Sequence, residues 1–162
     1  MQSLIKKNIN WLEIIFYMYP KIIASYGEYG VNIGKIVQRI IKYAPEDSIQ
    51  GLNAVRIVDK SPDNRGFACY LKDHREIYLF VDDIIGWQPW LLKKTIIFPY
   101  LTIGLALGHE IDHHVNRENN KIDKEISAER NALKYIYPSF GIFKFLAKVF
   151  YFFFKGRQHI QA

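Results

Sequence analysis

The residues most able to do chemistry in this chain form one short cluster, "LALGHEIDHH", at residues 105–114. His109 and His113 stand four positions apart and Glu110 follows the first of them, which gives the pattern H-E-x-x-H. On an α-helix, residues four apart lie on the same face, one turn above the other. Both imidazoles can therefore reach one point about 2 Å from each nitrogen, as a zinc ion requires. The spacing predicts a metal site on a helix.

Two side chains beside the histidine pair have different predicted roles. By the 3.6-residue period, Glu110 lies roughly 100° around the helix from His109. That is too far for a third ligand but close enough to reach a water molecule at the metal. His114 is five residues from His109 and is turned away from the face that carries the pair. The spacing therefore predicts that Glu110 lies within reach of a metal-bound water and that His114 is a poor ligand near the rim of the site.

A third ligand is expected from the following helix, "KEISAERNALKY", because a catalytic zinc site usually has three protein ligands. Glu125 lies just beyond a short turn, so two antiparallel helices would bring its carboxylate to the metal. Glu129 follows four residues later on the same face, where it can accept the second N–H of a ligand histidine. The opposite assignment, with Glu129 as the ligand and Glu125 behind it, stays open at this point.

Together these two segments resemble gluzincin metallopeptidases. "HEIDH" matches the histidines and base of that family, and "EISAERNA" matches its E-x-x-A-[DEN]-x-x-A helix, which carries the glutamate ligand. The motifs cover residues 105–133, and the order of the surrounding elements is similar to that of small stand-alone gluzincin domains. The resemblance implies a zincin-like fold, a Zn²⁺ cofactor, and hydrolysis of peptide bonds in a peptide or protein substrate.

The same resemblance implies roles for further residues. Glu110 would take a proton from the attacking water and hand it to the leaving amine. The segment "EIYLFV", residues 76–81, would correspond to an edge strand that receives an extended substrate by strand addition. A stabiliser of the transition-state oxyanion is also expected, and the nearest candidates are His114, Tyr135 and Arg130.

The elements that must position these residues follow from hydrophobic periodicity. Helical spacing recurs in several segments, and short alternating stretches lie between them. The predicted helices span 3–18, 31–44, 100–116 and 124–137, and the predicted strands span 53–58, 67–71 and 76–81, the last two as a hairpin. Pro99 fits the first turn of the third helix, while Asp123 and Pro138 are predicted to cap and to end the fourth. The predicted fold class is α+β, with N-terminal helices, a small three-stranded and mostly antiparallel sheet, the H-E-x-x-H helix and the glutamate helix.

The C-terminal segment is almost wholly phenylalanine and aliphatic, with lysines along one narrow helical stripe. Residues 139–162 are predicted to form an apolar helical appendage on a single 1–162 domain. Three interpretations stay open for residues 140–155. They pack on the core or on a second copy of the chain, they contact a membrane surface, or they cover the cleft and keep an enzyme latent.

The composition narrows the possible partners. A formal net charge of +6 favours anionic surfaces, but the basic residues are scattered and no nucleic-acid motif is present, so no nucleic-acid partner is predicted. Cys69 is the single cysteine, which excludes an internal disulfide and fits a reducing compartment. No stretch reaches the roughly 18 to 20 apolar residues of a membrane span. The prediction is a cytoplasmic protein, either free or peripheral to the membrane.

Three function classes stay open on the sequence. The first is a zinc metallopeptidase with His109, His113 and Glu125 as ligands and Glu110 as base. The second is a latent or non-catalytic regulatory module that keeps the zinc, because a scaffold does not by itself determine an activity. The third is a membrane-associated structural protein in which the motif is fortuitous.

Overall fold

A computed structural model describes residues 19–27, 29–62, 66–86, 88, 95, 97–117 and 124–145 of the chain. Within these residues the chain forms five α-helices, one 3-10 helix and four strands. In chain order they are β1 (Lys21–Ser25), α1 (Ile33–Tyr43), α2 (Glu46–Ile49), β2 (Ala54–Val58), β3 (Ala68–Leu71), β4 (Glu76–Phe80), α3 (Val81–Gly86), α4 (Ile97–Val115), α5 (Lys124–Ile136) and the 3-10 helix Tyr137–Phe143. The α+β class is confirmed. The predicted helix at 3–18 and the predicted cap Asp123 lie outside the described residues.

The four strands form one mixed sheet in the order β1-β2-β4-β3. β1 pairs with β2 in parallel, and β2 pairs with β4 in parallel. β3 and β4 form the predicted antiparallel hairpin, with Tyr70 opposite Ile77. The prediction of three mostly antiparallel strands is wrong, because β1 was missed and two of the three pairings are parallel. The parallel β1–β2 pair is possible because α1 lies on the connection between the two strands and carries the chain back to the starting edge.

The position of β4 also differs from the prediction. β4 is an inner strand between β2 and β3, so its backbone groups are paired on both sides. The strand at the edge nearest the histidine helix is β3, which contacts α4. The expectation that residues 76–81 form an edge strand is therefore wrong, and the free edge belongs to the preceding strand of the hairpin.

The core lies between the sheet and the helices α1 and α4. The predicted apolar face of α1 is buried throughout, and Asn32 caps this helix by accepting a hydrogen bond from the backbone N–H of Lys35 at 2.9 Å. Ile57 and Leu79 are fully buried in β2 and β4, and Ile103 and Leu107 are fully buried in α4. Each such side chain contributes about 1.5–3 kcal/mol on burial. This apolar packing fixes α4 against the sheet.

The predicted boundaries of the two helices at the site hold within three residues. α4 begins at Ile97 and includes Pro99 in its first turn, and α5 ends at Ile136, two residues before Pro138. Beyond it, the 3-10 helix is bent at Gly141, where φ is 53°. The backbone carbonyl of Ser139 accepts hydrogen bonds from Arg39 Nε at 3.1 Å and from the Tyr100 hydroxyl at 3.3 Å. The start of the predicted 139–162 appendage is thus bonded to the domain.

The rest of that segment, residues 146–162, lies outside the described residues. Phe140 is buried against the core, whereas Phe145 is 75% exposed. Among the helices of the described ranges, none is both long enough and apolar enough to cross a membrane.

Candidate metal centre

The structure brings together the three predicted ligands at the C-terminal end of α4 and the first turn of α5. His109 Nε2 lies 3.1 Å from Glu125 Oε2 and 3.1 Å from His113 Nε2. His113 Nε2 lies 3.3 Å from Glu125 Oε1. The two imidazole rings are nearly perpendicular, at 75°. Two imidazole nitrogens and the two oxygens of one carboxylate, contributed by two helices, therefore lie close together.

These separations fit a tetrahedral zinc ion. Zinc–nitrogen and zinc–oxygen bonds of about 2.0–2.1 Å place two ligand atoms of a tetrahedron about 3.3 Å apart. Each imidazole nitrogen lies 3.1–3.3 Å from the other nitrogen and from one carboxylate oxygen, a different oxygen for each histidine. With one ligand atom taken from each residue, the three atoms lie within 4.8 Å of one another. Two imidazoles and one carboxylate are donors of the kinds that bind zinc in proteins.

The protonation state of His109 favours metal binding. Burial and the neighbouring imidazole of His113 lower the pKa of His109, although the negative charges of Glu125 and Glu129 act in the opposite direction. A lowered pKa keeps the ring neutral near pH 7, and a neutral imidazole is the form that binds a metal. The Glu125 side chain is 75% exposed, so the site is open to solvent on the side of α5.

Glu110 lies next to the ligands but is buried, with 6% of its surface exposed. Burial, and after it the negative charge of Glu125, raises the pKa of the Glu110 carboxyl to about 7. The backbone N–H of Tyr70, on β3, donates a hydrogen bond to this carboxyl and acts in the opposite direction. A carboxyl with a pKa near neutrality can both accept and release a proton at physiological pH, as general acid–base catalysis requires.

The structure also separates Glu125 from Glu129. Glu125 is the carboxylate in the cluster whose ligand atoms all lie within 4.8 Å of one another. Glu129 is exposed and lies one turn further along α5, near enough for its charge to raise the pKa of His109. Of the two glutamates, Glu125 is therefore the one that lies with both histidines in a group that could hold a metal ion.

His114 faces away from the cluster and is 1% exposed. Its Nε2 lies 3.0 Å from the carbonyl oxygen of Gln50, to which it must donate, and its Nδ1 lies 2.9 Å from the hydroxyl of Tyr70. Burial lowers the pKa of His114, which favours the neutral ring. In that form Nε2 donates to the Gln50 carbonyl and Nδ1 accepts from the Tyr70 hydroxyl. His114 therefore connects α4 to β3 and to the end of α2, and both its nitrogens are engaged there.

The other two candidates for an oxyanion stabiliser are not brought to the ligands by any described contact. Tyr135 is 5% exposed, and its hydroxyl donates to Asp112 Oδ1 at 2.9 Å. Burial, followed by the bond to Asp112, raises the pKa of Tyr135, so the hydroxyl stays a donor. Arg130 is an exposed residue of α5.

Asp112, directly before His113, is a buried acid that the spacing of the H-E-x-x-H pattern does not reveal. It is 1% exposed. Besides Tyr135, its carboxylate accepts hydrogen bonds from Asn131 Nδ2 at 3.0 Å and from Ser127 Oγ at 3.3 Å. A signal was present, since Ser127, Asn131 and Tyr135 are spaced four apart and form a polar stripe along α5.

The helices that carry the ligands are in close contact. Gly108, directly before His109, faces the backbone of α5, and a Cβ added there would lie 2.3 Å from the carbonyl oxygen of Ala132. Ala128 and Ala132 are buried on the facing side of α5. Small residues on both helices thus allow the approach that places Glu125 beside the histidines.

Comparisons with known proteins do not assign the chain to a family. No protein-family model, no curated protein and no solved structure matches the chain. The resemblance to gluzincins therefore rests on the two sequence motifs and on the geometry of the cluster.

Proposed function

We propose that this protein is a small zinc metallopeptidase of the gluzincin type, in which His109, His113 and Glu125 hold the metal and Glu110 is the general base. The observation that carries the proposal is the cluster of two imidazole nitrogens and one carboxylate, at contacts of 3.1–3.3 Å, beside a buried carboxyl whose pKa is about 7. Zinc bound there would supply Lewis-acid chemistry, lowering the pKa of a coordinated water and polarising a carbonyl.

Glu110 is suited to moving the proton in such a hydrolysis. Its carboxyl lies one residue from a ligand and in a low-dielectric environment, where its basicity is increased. It would accept a proton from the attacking water and release it to the leaving amine. The N–H of Tyr70 holds the carboxyl in place while the proton moves.

The edge of β3 is suited to binding an extended peptide. β3 pairs with β4 on one side only. The backbone N–H of Tyr70 points from this strand to Glu110. A peptide added along the free edge would therefore pass the catalytic carboxyl, with main-chain hydrogen bonds providing the affinity. We propose this strand, and not β4, as the substrate-binding edge.

The test is cleavage of a diverse peptide library by the zinc-loaded protein, read by mass spectrometry. Glu110→Gln is the matched variant, because it keeps the size of the side chain and all three ligands. Products that are present for the wild type and absent for Glu110→Gln would support the peptidase. Stoichiometric zinc in both proteins without products from either would contradict it.

One observation favours a second function, a zinc-binding regulatory module that cleaves little. His114 and Tyr135, two of the three candidates for stabilising the transition state, have their polar side-chain atoms bonded to Tyr70, Gln50 and Asp112. A module of this kind predicts that the cellular effect of the protein depends on His109 and His113 but survives Glu110→Gln.

A further inference from the structure

The carboxylate of Asp112 connects α4 to three points along α5. It belongs to the same turn as His113 but is turned into the protein, where its two oxygens accept bonds from Ser127, Asn131 and Tyr135. Asn131 Nδ2 also lies 3.1 Å from Ser127 Oγ, so the donors are connected with one another. Every partner is a hydroxyl or an amide, and each has a donor for the carboxylate.

This network and the ligand Glu125 lie on different sides of α5. By the helical period, Ser127 is about 200° from Glu125, and the buried alanines that face α4 lie between them. A rotation of α5 about its axis would break the bonds to Asp112 and would swing Glu125 away from the histidines. A shift along the axis would have the same two consequences.

Contact between the helices does not by itself prevent these movements. The close approach of Gly108 to Ala132 sets how near the helix axes lie. Apolar and small-residue contacts have little directional preference, whereas three hydrogen bonds to one buried carboxylate require one rotation and one register. Glu125 itself is exposed and lies in the first turn of α5, so its own surroundings restrain it little.

We propose that Asp112 is a positioning residue of the metal centre, which fixes the rotation and register of α5 on α4 and so presents Glu125 to His109 and His113. The inference rests on the metal site of the proposed function but not on peptidase activity. Its consequence is that the affinity of the site for zinc depends on a side chain that touches neither the metal nor any ligand.

The test measures the zinc dissociation constant of the folded protein by competition with a chromophoric chelator, alongside unfolding by denaturant. Asp112→Ala removes both acceptor oxygens, and with them all three hydrogen bonds. It is expected to weaken zinc binding by about tenfold to a hundredfold, the range found when groups that support metal ligands are lost. Asp112→Asn keeps the shape and one oxygen that can serve Asn131 and Tyr135. It should restore affinity to within about fivefold of the wild type, the equivalent of one ordinary hydrogen bond.

The matched control is Ser48→Ala in α2. Ser48 is 3% exposed, and its hydroxyl donates to the carbonyl oxygen of Pro45 at 2.6 Å. This variant loses a buried hydrogen bond outside the Asp112 network, so stability should fall while the affinity for zinc stays that of the wild type. If Asp112→Ala does not fold, Tyr135→Phe and Ser127→Ala replace it, and each should weaken zinc binding by about fivefold.

The outcomes separate the inference from the proposed function. Folded Asp112→Ala with wild-type zinc affinity would overturn the positioning role, as would unchanged affinity in both replacement variants. A wild-type protein that binds no stoichiometric zinc, or that keeps it after His109→Ala, would overturn the metal centre and this inference together. Zinc binding that depends on Asp112 in a protein that cleaves no peptide would support the inference and contradict the peptidase.

Discussion

Gly108 and Ala132 lie in backbone contact, because a Cβ on Gly108 would fall 2.3 Å from the carbonyl oxygen of Ala132. Real Cβ atoms do not approach a carbonyl oxygen this closely, so the two ligand-bearing helices could not keep their separation with any other residue at position 108. The residue directly before the first ligand histidine therefore decides how near Glu125 can come.

Gly108→Ala is expected to destabilise the fold and weaken zinc binding. The clash is with backbone atoms that cannot rotate away, so the free energy of unfolding should fall by about 1–3 kcal/mol despite the gain in helix propensity. Gly104→Ala should lower the free energy of unfolding by less. The atom nearest to a Cβ built there is Ile136 Cδ1, at 3.0 Å, which is the end of a flexible side chain and can move. Denaturant unfolding of the two variants tests whether Gly108→Ala is the more destabilising.

Gly86→Ala is the control for that series. Among the residues that the structure describes, no atom outside the chain neighbours and the backbone of α3 lies within 4 Å of a Cβ built at Gly86. The change in unfolding free energy should stay within about 0.5 kcal/mol. Equal effects of all three substitutions would show that the α4–α5 contact is not as close as described.

The choice of third ligand predicts unequal effects for two glutamates of α5. Glu125→Gln replaces the carboxylate in the cluster and should weaken zinc binding by more than about a hundredfold, whereas Glu129→Gln should weaken it by about tenfold through the histidine it supports. Chelator competition on the two purified variants measures the difference. A larger effect of Glu129→Gln would reverse the assignment of the two residues.

Glu110 predicts a pH dependence of stability in the metal-free protein. Its pKa is about 7 in the fold, against an ordinary value of 4.5, so folding favours the protonated form. That contribution is complete below pH 4.5 and is lost as the pH rises through 7, a change of about 3 kcal/mol. Glu110→Gln cannot ionise, so the metal-free variant should exceed the wild type by up to about 3 kcal/mol at pH 8 and match it at pH 4.

Denaturant titrations in the presence of a chelator, at both pH values, measure this difference. Glu46→Gln provides the comparison, because Glu46 is an exposed residue of α2. If both variants have a higher free energy of unfolding than the wild type at pH 8, the stabilisation comes from the change in net charge and not from the burial of Glu110.

The bond between Tyr70 and His114 predicts a structural rather than a chemical role for His114. Tyr70→Phe keeps the ring and the backbone N–H that Glu110 uses, but leaves the buried Nδ1 of His114 without its donor at 2.9 Å. The free energy of unfolding should fall by about 1–3 kcal/mol, with the affinity for zinc unchanged. Unfolding curves and chelator competition test the two statements.

Tyr78→Phe is the matched change on the neighbouring strand. The Tyr78 hydroxyl makes a longer bond, 3.3 Å to Glu76, at a half-buried position. Loss of this hydrogen bond should lower the free energy of unfolding by less than about 1 kcal/mol. If a peptidase activity is found and Tyr70→Phe lowers kcat while leaving stability intact, His114 takes part in the reaction after all.

Local periodicity was enough to predict much of the site. His109, His113 and Glu110 are related by positions within one helix, and helical geometry places them without knowledge of the rest of the chain. The apolar face of α1 and the β3–β4 hairpin were also predictable, because each depends on neighbours within a few residues. Predicting Glu125 needed the additional assumption that two consecutive helices pack antiparallel, and it came partly from the resemblance.

Relations between distant segments were decided only by the tertiary structure. β1 and β2 are neighbours because of a helix crossover, so no alternation in "KIIAS" marks the strand or its parallel pairing. Asp112 and His114 have the residue types of a solvated helix face. They are buried because the stripe on α5 and Tyr70 on β3 supply partners from 15 to 44 residues away. A pattern on one helix shows which side chains share a face, whereas the partner that covers that face determines whether they bind a metal, hold a helix in place or contact water.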